Sequence, residues 1–284
     1  MANTIELAQK FLPVLDGVYK KASLTSVLDA NTQVSFDGTN TVKVMKVTTT
    51  GLGDYSRANG YAKGNATLTW ESLALGEDRS AEFEIDRMDD EETLAQAFGM
   101  TVQEFNRVNV GPELDAYRFA KYASTAGIGS ASGALADGAA VVSALRDGTD
   151  AMDEEEVNME DRVLFITPTY YGAVEDLDTT KSRAVLGRFG TIIQVPQARF
   201  FSAITLNSGA SSWGYAKGAE AKNINFMIVS KSAVLQAKKL ALPKIFTPDE
   251  NQSKDAWKFQ YRLYHDAFVF ENKAKGIFAH LSTT

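Results

Sequence analysis

The sequence predicts an α+β fold, and three observations lead to this prediction. Between Ala81 and Asp86 apolar and acidic residues alternate, a period of two that is typical of a strand with one buried face. Residues 101–126 carry apolar side chains at steps of three and four, as one long amphipathic helix does. Beyond residue 127 strand and helix patterns alternate, which indicates a smaller α/β part within the fold.

Length and composition limit the class of protein. The 284 residues, of which 44% are hydrophobic, are enough for two compact domains or one elaborated domain. The chain has no cysteine, which excludes a disulfide framework, a thiolate metal site and a cysteine nucleophile. The formal net charge of -7 argues against a dedicated nucleic-acid-binding protein. We find neither a signal peptide nor an apolar run of ~18 residues, so we expect a protein that starts in the cytosol and does not span a membrane.

Residues 1–40 form the first predicted part, an N-terminal arm. Because Pro13 interrupts its helical pattern, we expect two short helical pieces or a helix and a turn. Such an arm cannot bury its own apolar stripe, so it needs a surface elsewhere. The stripe consists of Ile5, Ala8, Phe11 or Leu12, Leu15 and Tyr19.

Residues 41–88 are predicted to form an extended hairpin and a return strand. Residues 41–47 alternate valine or methionine with lysine, and the glycine-rich residues 48–65 separate them from a second strand over residues 66–74. Paired strands of this length make an arm on the order of 20 to 30 Å long. The apolar positions shift by one after Trp70, which indicates a bend or a bulge near Ser72. A turn at residues 76–79 then leads into the acidic strand.

Residues 89–127 are predicted to hold the long helix. Asp89 and Glu92 suit the start of a short helix that Gly99 ends, and Thr101 with Glu104 forms a capping box for the next helix. That helix would cover residues 101–126, roughly 39 Å at ~1.5 Å per residue.

Gly111 and Pro112 interrupt the long helix. Pro112 cannot donate a hydrogen bond to the Val108 carbonyl, and its ring crowds the preceding turn. We therefore expect a kink or a brief break between two collinear halves.

Residues 128–240 are predicted to form the α/β domain, which a small-residue linker over residues 127–140 separates from the helix. It includes a helix near residues 139–147, a buried strand at residues 162–166, a helix that Pro168 starts, and a strand at residues 224–229. Ser230 suits the N-cap of a further helix over residues 230–240. Residues 241–284 are predicted to return as strands that pack on the long helix.

The charge is unevenly distributed. Between Glu71 and Glu92 ten carboxylates stand against two arginines, a balance of -8, and from Lys231 onward nine basic residues stand against five acidic ones, a balance of +4. Each segment can be a solvated face, or the two can meet between copies of the chain. In the second case an acidic set faces a basic set on a neighbour. The acidic set is Glu82, Glu84, Asp86 and Glu91, and the basic set is Lys254, Lys258, Arg262, Lys273 and Lys275.

Catalytic motifs are scarce. The two histidines, His265 and His280, have no zinc-site spacing. The acidic cluster at residues 89–92 is better explained by the charge preference of a helix N-terminus than by acid–base chemistry. Neither a P-loop nor a nucleophile-elbow signature occurs. We therefore expect no cofactor and no metal. A hydrolase with its site between two domains remains a remote alternative. The observation that the protein is a monomer and does not assemble would favour this alternative.

Six segments, in the order described above, resemble the major capsid proteins of tailed bacteriophages, which have the Hong Kong 97-type fold. The likeness extends over essentially the whole chain. The segments are FLPVLDGVYKKASLT (residues 11–25), TTGLGDYSR (49–57), LTWESLAL (68–75), FEIDRMDDEET (83–93), VGPELDAYRFAKYAS (110–124) and YRLYHDAFVFENKAKGIFAH (261–280).

The resemblance implies a role for each part. The hairpin is the extended loop, the long helix is the spine of the peripheral domain, and the α/β part is the axial domain. It implies a subunit that assembles into hexamers and pentamers of an icosahedral head around double-stranded DNA, in the host cytoplasm. A scaffolding protein, a portal and a decoration protein are implied partners, and the virion is the implied location. An encapsulin-like nanocompartment shell is the alternative within this fold.

Two departures qualify the resemblance. The sequence has no long charged coiled-coil segment before the arm, so we expect no fused scaffolding domain in this chain. Some family members cross-link an extended-loop lysine to an asparagine of a neighbour, and Lys63 lies in the matching region. The sequence does not identify the asparagine or the carboxylate that this reaction needs. Lys63 and Trp70 of the hairpin are therefore candidates for the assembly interface only.

Overall fold

The computed structural model describes residues 23–29, 41–58, 60–92, 97–177 and 179–283. Most of the predicted arm, residues 1–22 and 30–40, lies outside these ranges. The helices are α1 (Arg87–Glu92), α2 (Ala97–Phe105), α3 (Gly111–Ser124), α4 (Gly138–Glu154), α5 (Pro168–Glu175) and α6 (Thr180–Leu186). The strands are β1 (Thr41–Thr49), β2 (Ala66–Ala74), β3 (Glu77–Asp86), β4 (Gly129–Ser132), β5 (Arg162–Ile166), β6 (Thr191–Gln194), β7 (Ile204–Leu206), β8 (Tyr215–Lys217), β9 (Ile224–Ser230), β10 (Val234–Phe246), β11 (Ala256–Val269) and β12 (Ile277–Leu281).

Strands β1 and β2 form the predicted antiparallel hairpin. Their register is continuous, from Thr41 opposite Ala74 to Thr49 opposite Ala66, so the predicted bulge near Ser72 is wrong. The apolar positions shift because the apolar side chains lie on one face of the hairpin near its base and on the opposite face farther along it. Near the base Leu73 packs inward with Val42, whereas Trp70 lies on the opposite face and is exposed.

Strands β10, β11 and β3 form an antiparallel sheet with β11 in the middle. The predicted alternation along β3 is confirmed, because Ile85 is buried while Glu82 and Asp86 are exposed. On the buried face the Phe83 ring lies 4.9 Å from the Phe105 ring. This contact places α2 against the sheet.

The long helix differs from the prediction at its start. Helix α2 begins at Ala97, so Gly99 does not end a helix and Thr101 does not cap one. A capping residue is needed only where the first backbone amides of a helix have no partner. Thr101 lies inside α2, so it is not at such a position. A π-helical segment, Asn106–Val110, joins α2 to α3, and Pro112 lies in the first turn of α3. The chain thus stays helical across Gly111 and Pro112, with a wider turn before the proline.

A five-stranded sheet in the order β4, β12, β9, β5, β6 forms the α/β part. It departs from the prediction at the small-residue linker, where residues 129–132 form strand β4 beside β12. A side chain at Gly129 would have its Cβ 2.8 Å from Phe278, so the small residues here permit close strand packing.

Residues 230–240 are a second departure, because they form a short 3-10 turn and then strand β10 in place of the predicted helix. Pairing with β11 along the whole strand overrides the helix propensity of this alanine-, leucine- and lysine-rich stretch.

Helix α3 lies where the two sheets meet. Phe119 and Tyr122 of α3 belong to one core cluster with Phe165 of β5, Val234 of β10 and Ala267 of β11. The last strand, β12, pairs with β9 and β4, so residues 241–284 contribute to both sheets. Within the described residues no helix is long and apolar enough to cross a membrane.

Candidate assembly site

The outer face of the hairpin is an exposed apolar surface formed by two adjacent strands. Met45 lies opposite Trp70 and Val47 lies opposite Leu68 across the pair. Because side chains alternate between faces, these four share one face. Met45 is 54% exposed and Trp70 is 60% exposed, an unusual exposure for a cluster of large apolar side chains.

The inner face of the hairpin is held by the body of the chain. Val42 and Leu75 are buried against Leu235 and Ala237 of β10. The Tyr264 hydroxyl donates to the Leu75 carbonyl at 2.9 Å, and Lys46 Nζ lies 2.6 Å from Glu271 Oε2. The hairpin therefore leaves the body from a packed base, with its apolar outer face turned away.

Lys63 lies in the loop between β1 and β2 and is exposed. In the same loop the rings of Tyr55 and Tyr61 are 5.1 Å apart, and Ser56 and Gly60 pair through two backbone hydrogen bonds. The loop thus has its own small turn, and it presents Lys63 and Leu52 at its surface.

The two charged segments are not on separate surfaces, because they lie side by side in one sheet. A contact between them across two subunits stays a prediction. Strands β3 and β11 are neighbours, and Lys258 Nζ lies 3.1 Å from Glu84 Oε1 and 3.5 Å from Glu82 Oε1 of the same chain. The Lys258 ammonium lowers the pKa of Glu84. Lys258 reaches both acidic side chains because the antiparallel register places it opposite Glu84 and diagonally across from Glu82.

The other predicted charges also have partners in the same chain. Arg262 donates to Asp78, with Nε 2.9 Å from Oδ1, and this bond lowers the pKa of Asp78. Lys254 lies 3.3 Å from Glu84, and Lys275 lies 3.3 Å from Glu155.

The remaining two acidic candidates are Asp86 and Glu91. Asp86 accepts the Met88 amide at 3.0 Å, so it caps the start of α1. Glu91 lies in α1, and its side chain is outside the described part.

The start of α3 is clamped by Arg79. Its guanidinium donates to both carboxylate oxygens of Glu113, at 2.6 and 3.2 Å. It also donates to the Asn207 and Gly214 carbonyls, at 2.7 and 3.3 Å. These bonds tie β3, the turn of helix that holds Gly111 and Pro112, and the loop between β7 and β8 into one unit.

A buried polar cluster on α3, which the sequence interpretation missed, fixes residues 23–29. Asp115 is fully buried and its carboxylate accepts five hydrogen bonds. The donors are the Ser23 hydroxyl, the Leu24 amide, the Thr25 amide and hydroxyl, and the Arg199 guanidinium. Such a carboxylate acts as the capping group for the short 3-10 turn Thr25–Leu28.

Arg118 completes this cluster. It is 1% exposed, and its Nη1 donates to the Thr25 hydroxyl at 2.7 Å. Gln236 Nε2 donates to the Thr25 carbonyl at 3.2 Å and to the Tyr122 hydroxyl at 2.9 Å. The signal in the sequence was the presence of two charged residues, Asp115 and Arg118, on the apolar side of a helix.

Both histidines are buried and contact neighbouring side chains of the core. Burial and the Arg118 charge lower the pKa of His265 to about 4, and its ring packs edge-on against Tyr117. His280 is buried beside Asn225, with Nδ1 3.0 Å from the amide nitrogen. Among the described residues no group of histidine, aspartate and glutamate is arranged to hold a metal ion.

No protein-family model and no curated protein matches the sequence. The fold, in contrast, is similar to solved capsid structures. The capsid structure of Cyanophage P-SCSP1u matches with a TM-score of 0.68 at 14% identity, over 98% of this chain and 93% of that chain. The mature capsid of bacteriophage PhiM1 matches with a TM-score of 0.68 at 12% identity, over 98% and 92%.

A virus-like particle from Pyrococcus furiosus matches with a lower TM-score of 0.53 at 13% identity, over 92% of each chain. The phage capsids thus superimpose better than the virus-like particle does. At these identities the likeness is one of fold, and the chain has the capsid fold that its sequence resemblance implies.

Proposed function

We propose that this chain is the major capsid protein of a tailed phage, a structural subunit that assembles with copies of itself into hexamers and pentamers of an icosahedral head. The fold, which covers nearly the full length of solved phage capsid chains, supports a shell-forming role over an enzymatic one. In this proposal the arm (residues 1–40), the hairpin (41–88), the spine helix (89–127) and the axial domain (128–240) keep their predicted roles. The last boundary changes, because β10 runs from Val234 to Phe246 and β12 joins the five-stranded sheet.

The observation that carries the proposal is the outer face of the hairpin. Met45, Val47, Leu68 and Trp70 are each more than half exposed, although they project from strands whose other face is packed at the base of the hairpin. Burying one such side chain in a contact contributes on the order of 1 kcal/mol. A shell repeats the contact in every subunit, so a modest gain for each copy is sufficient for assembly. We propose that a neighbouring copy covers this face.

The partners of the shell follow from the same proposal. A scaffolding protein would guide assembly, a portal would replace one pentamer, and a decoration protein would bind the outside. The packaged DNA would lie against the inner surface without sequence recognition, as the acidic net charge of -7 suggests.

Assembly of hairpin variants tests the proposal. Trp70→Asp and Leu68→Asp place a charge on the outer face without touching the packed base, so we expect soluble subunits that no longer form particles in sedimentation. Trp213→Asp is the matched control, because Trp213 is 65% exposed on another part of the chain. Particles that form equally well from all three variants would contradict a role for the hairpin face.

A cellular nanocompartment shell is the second candidate, and the match to the Pyrococcus furiosus particle favours it. The contents of purified particles distinguish the two. Nuclease-protected double-stranded DNA supports the phage head, and a co-purifying protein cargo in small particles supports the nanocompartment.

A further inference from the structure

Over residues 235–238, one face of strand β10 contacts the base of the hairpin and the other face contacts residues 23–29. Leu235 is 4% exposed and Ala237 is 1% exposed, and both pack against Val42 and Leu75 at the base of the hairpin. Gln236, between them, donates to the Thr25 carbonyl at 3.2 Å. Lys238 Nζ lies 3.8 Å from Asp29 Oδ2. The hairpin base and residues 23–29 are therefore attached to opposite sides of the same short stretch of strand.

Residues 23–29, which we call the arm anchor, are integral to the body. Thr25 is fully buried and Leu28 is 1% exposed within the main core cluster. The bonds to Asp115 and Arg118 described above fix the anchor to α3. A displacement of residues 23–29 therefore acts directly on α3 and β10.

We propose that residues 235–238 of β10 couple the arm anchor to the extended hairpin, so that loosening one loosens the other. Gln236 is the positioning residue of this coupling, because it contacts both the anchor and Tyr122 of α3. Its role in assembly rests on the proposed function, in which the arm and the hairpin both reach other copies. The coupling itself is a property of the single subunit.

Packing explains why the strand transmits a displacement. Residues 235–237 are buried on both faces, and closely packed interiors do not absorb a shift in a neighbouring group. Pairing with β11 fixes the strand laterally, and its register shifts between Lys238 and Leu240. The regularly paired part of β10 that contacts the hairpin base and the arm anchor therefore ends directly after Lys238.

Hydrogen exchange on the dissociated full-length subunit tests the coupling. Thr25→Val keeps the size of the side chain but removes the hydroxyl that donates to Asp115 at 2.8 Å and accepts from Arg118 at 2.7 Å. We expect exchange in residues 41–45 and 71–76, at the hairpin base, to become about tenfold faster although no hairpin residue is changed. Gln236→Leu removes the bridge directly and should give the same pattern.

Thr149→Val is the matched control. Thr149 is also fully buried, and its hydroxyl also accepts from an arginine, Arg188 Nη1, at 2.7 Å, but it lies on α4 against the five-stranded sheet. If the hairpin base exchanges no faster in Thr25→Val than in Thr149→Val, the coupling is wrong. If Thr25→Val does not fold, Ser23→Ala replaces it, since it removes one bond of 2.8 Å to Asp115, and the same comparison decides.

Hydrogen exchange on the subunit and the assembly assay test the two proposals independently. Faster exchange at the hairpin base in a chain that never forms particles would support the coupling and contradict the proposed function. Unchanged exchange in a chain that assembles normally would contradict the coupling alone.

Discussion

Lys258 Nζ lies 3.1 Å from Glu84 Oε1, on the neighbouring strand of the same subunit. Both side chains are about four-fifths covered, with exposures of 19% and 22%, so solvent screens the pair less than it screens a fully exposed pair. Charges that the sequence suggested for contacts between subunits thus stabilise the sheet within one subunit.

The variant Lys258→Glu tests this assignment. It places three carboxylates together, so we expect the free energy of unfolding to fall, with a smaller loss at high salt. Urea denaturation at two salt concentrations measures it. Lys244→Glu, opposite Gln260 in the same sheet, is the control and should change stability little. An equal loss in both variants would show that the Lys258 pair is not specific.

Asp115 provides the second prediction. Asp115→Asn replaces an acceptor of five hydrogen bonds with an amide that cannot accept them all, and it leaves Arg199 beside a neutral group. We expect a loss of about 3 to 5 kcal/mol in unfolding free energy. Asp137→Asn is the control, because Asp137 is the exposed N-cap of α4 and asparagine caps equally well. A near-neutral Asp115→Asn would contradict the role of the cluster as an anchor.

The pH dependence of stability follows from His265. Its pKa is lowered to about 4 from the ordinary histidine value of 6.5, so the unfolded chain binds the proton first as the pH falls. Stability contributed by the neutral form is complete above about 6.5 and is lost as the pH falls toward about 4, by about 3 kcal/mol in total.

The groups that face His265 are Tyr117, Arg118, Lys238, Arg79 and Asp266. The cationic groups among them oppose its protonation, as does burial. His265→Phe should flatten the stability curve in this pH window, as measured by thermal unfolding at each pH. His280→Phe is the comparison, since burial alone lowers the pKa of His280. A wild-type curve that is flat between these pH values would contradict the assignment.

Pro112 provides a prediction about the assembled state. Pro112→Ala restores an amide next to the π-helical segment Asn106–Val110, so we expect a stiffer helix and particles biased toward one state of expansion. Pro168→Ala is the control, because Pro168 lies at the start of α5, where the missing amide is not needed. Particle diameters that are unchanged in Pro112→Ala would argue against a hinge at this position.

The sequence predicted those elements whose pattern is local. Strand β3 alternates because one of its faces lies against the body of the subunit and the other faces solvent. The hairpin is recognisable from two strands around a glycine-rich loop. Residues 230–240 were predicted as a helix because their composition favours one, but pairing with the next strand, β11, makes residues 234–240 part of strand β10.

The anchor was missed for a similar reason. Thr25 and Asp115 are 90 residues apart, and no local pattern connects them. The same holds for the charge pairs, since the segment balances of -8 and +4 contain no information on whether the partners lie in one subunit or in two. Their placement depends on strand order, which periodicity does not give.

Electron microscopy of the purified full-length chain tests the central claim most directly. The account predicts closed shells of uniform diameter, built from rings of five and six subunits, and predicts that Trp70→Asp abolishes them while Trp213→Asp does not. A wild-type protein that remains monomeric at high concentration, with and without scaffolding protein from the same source, would contradict the account.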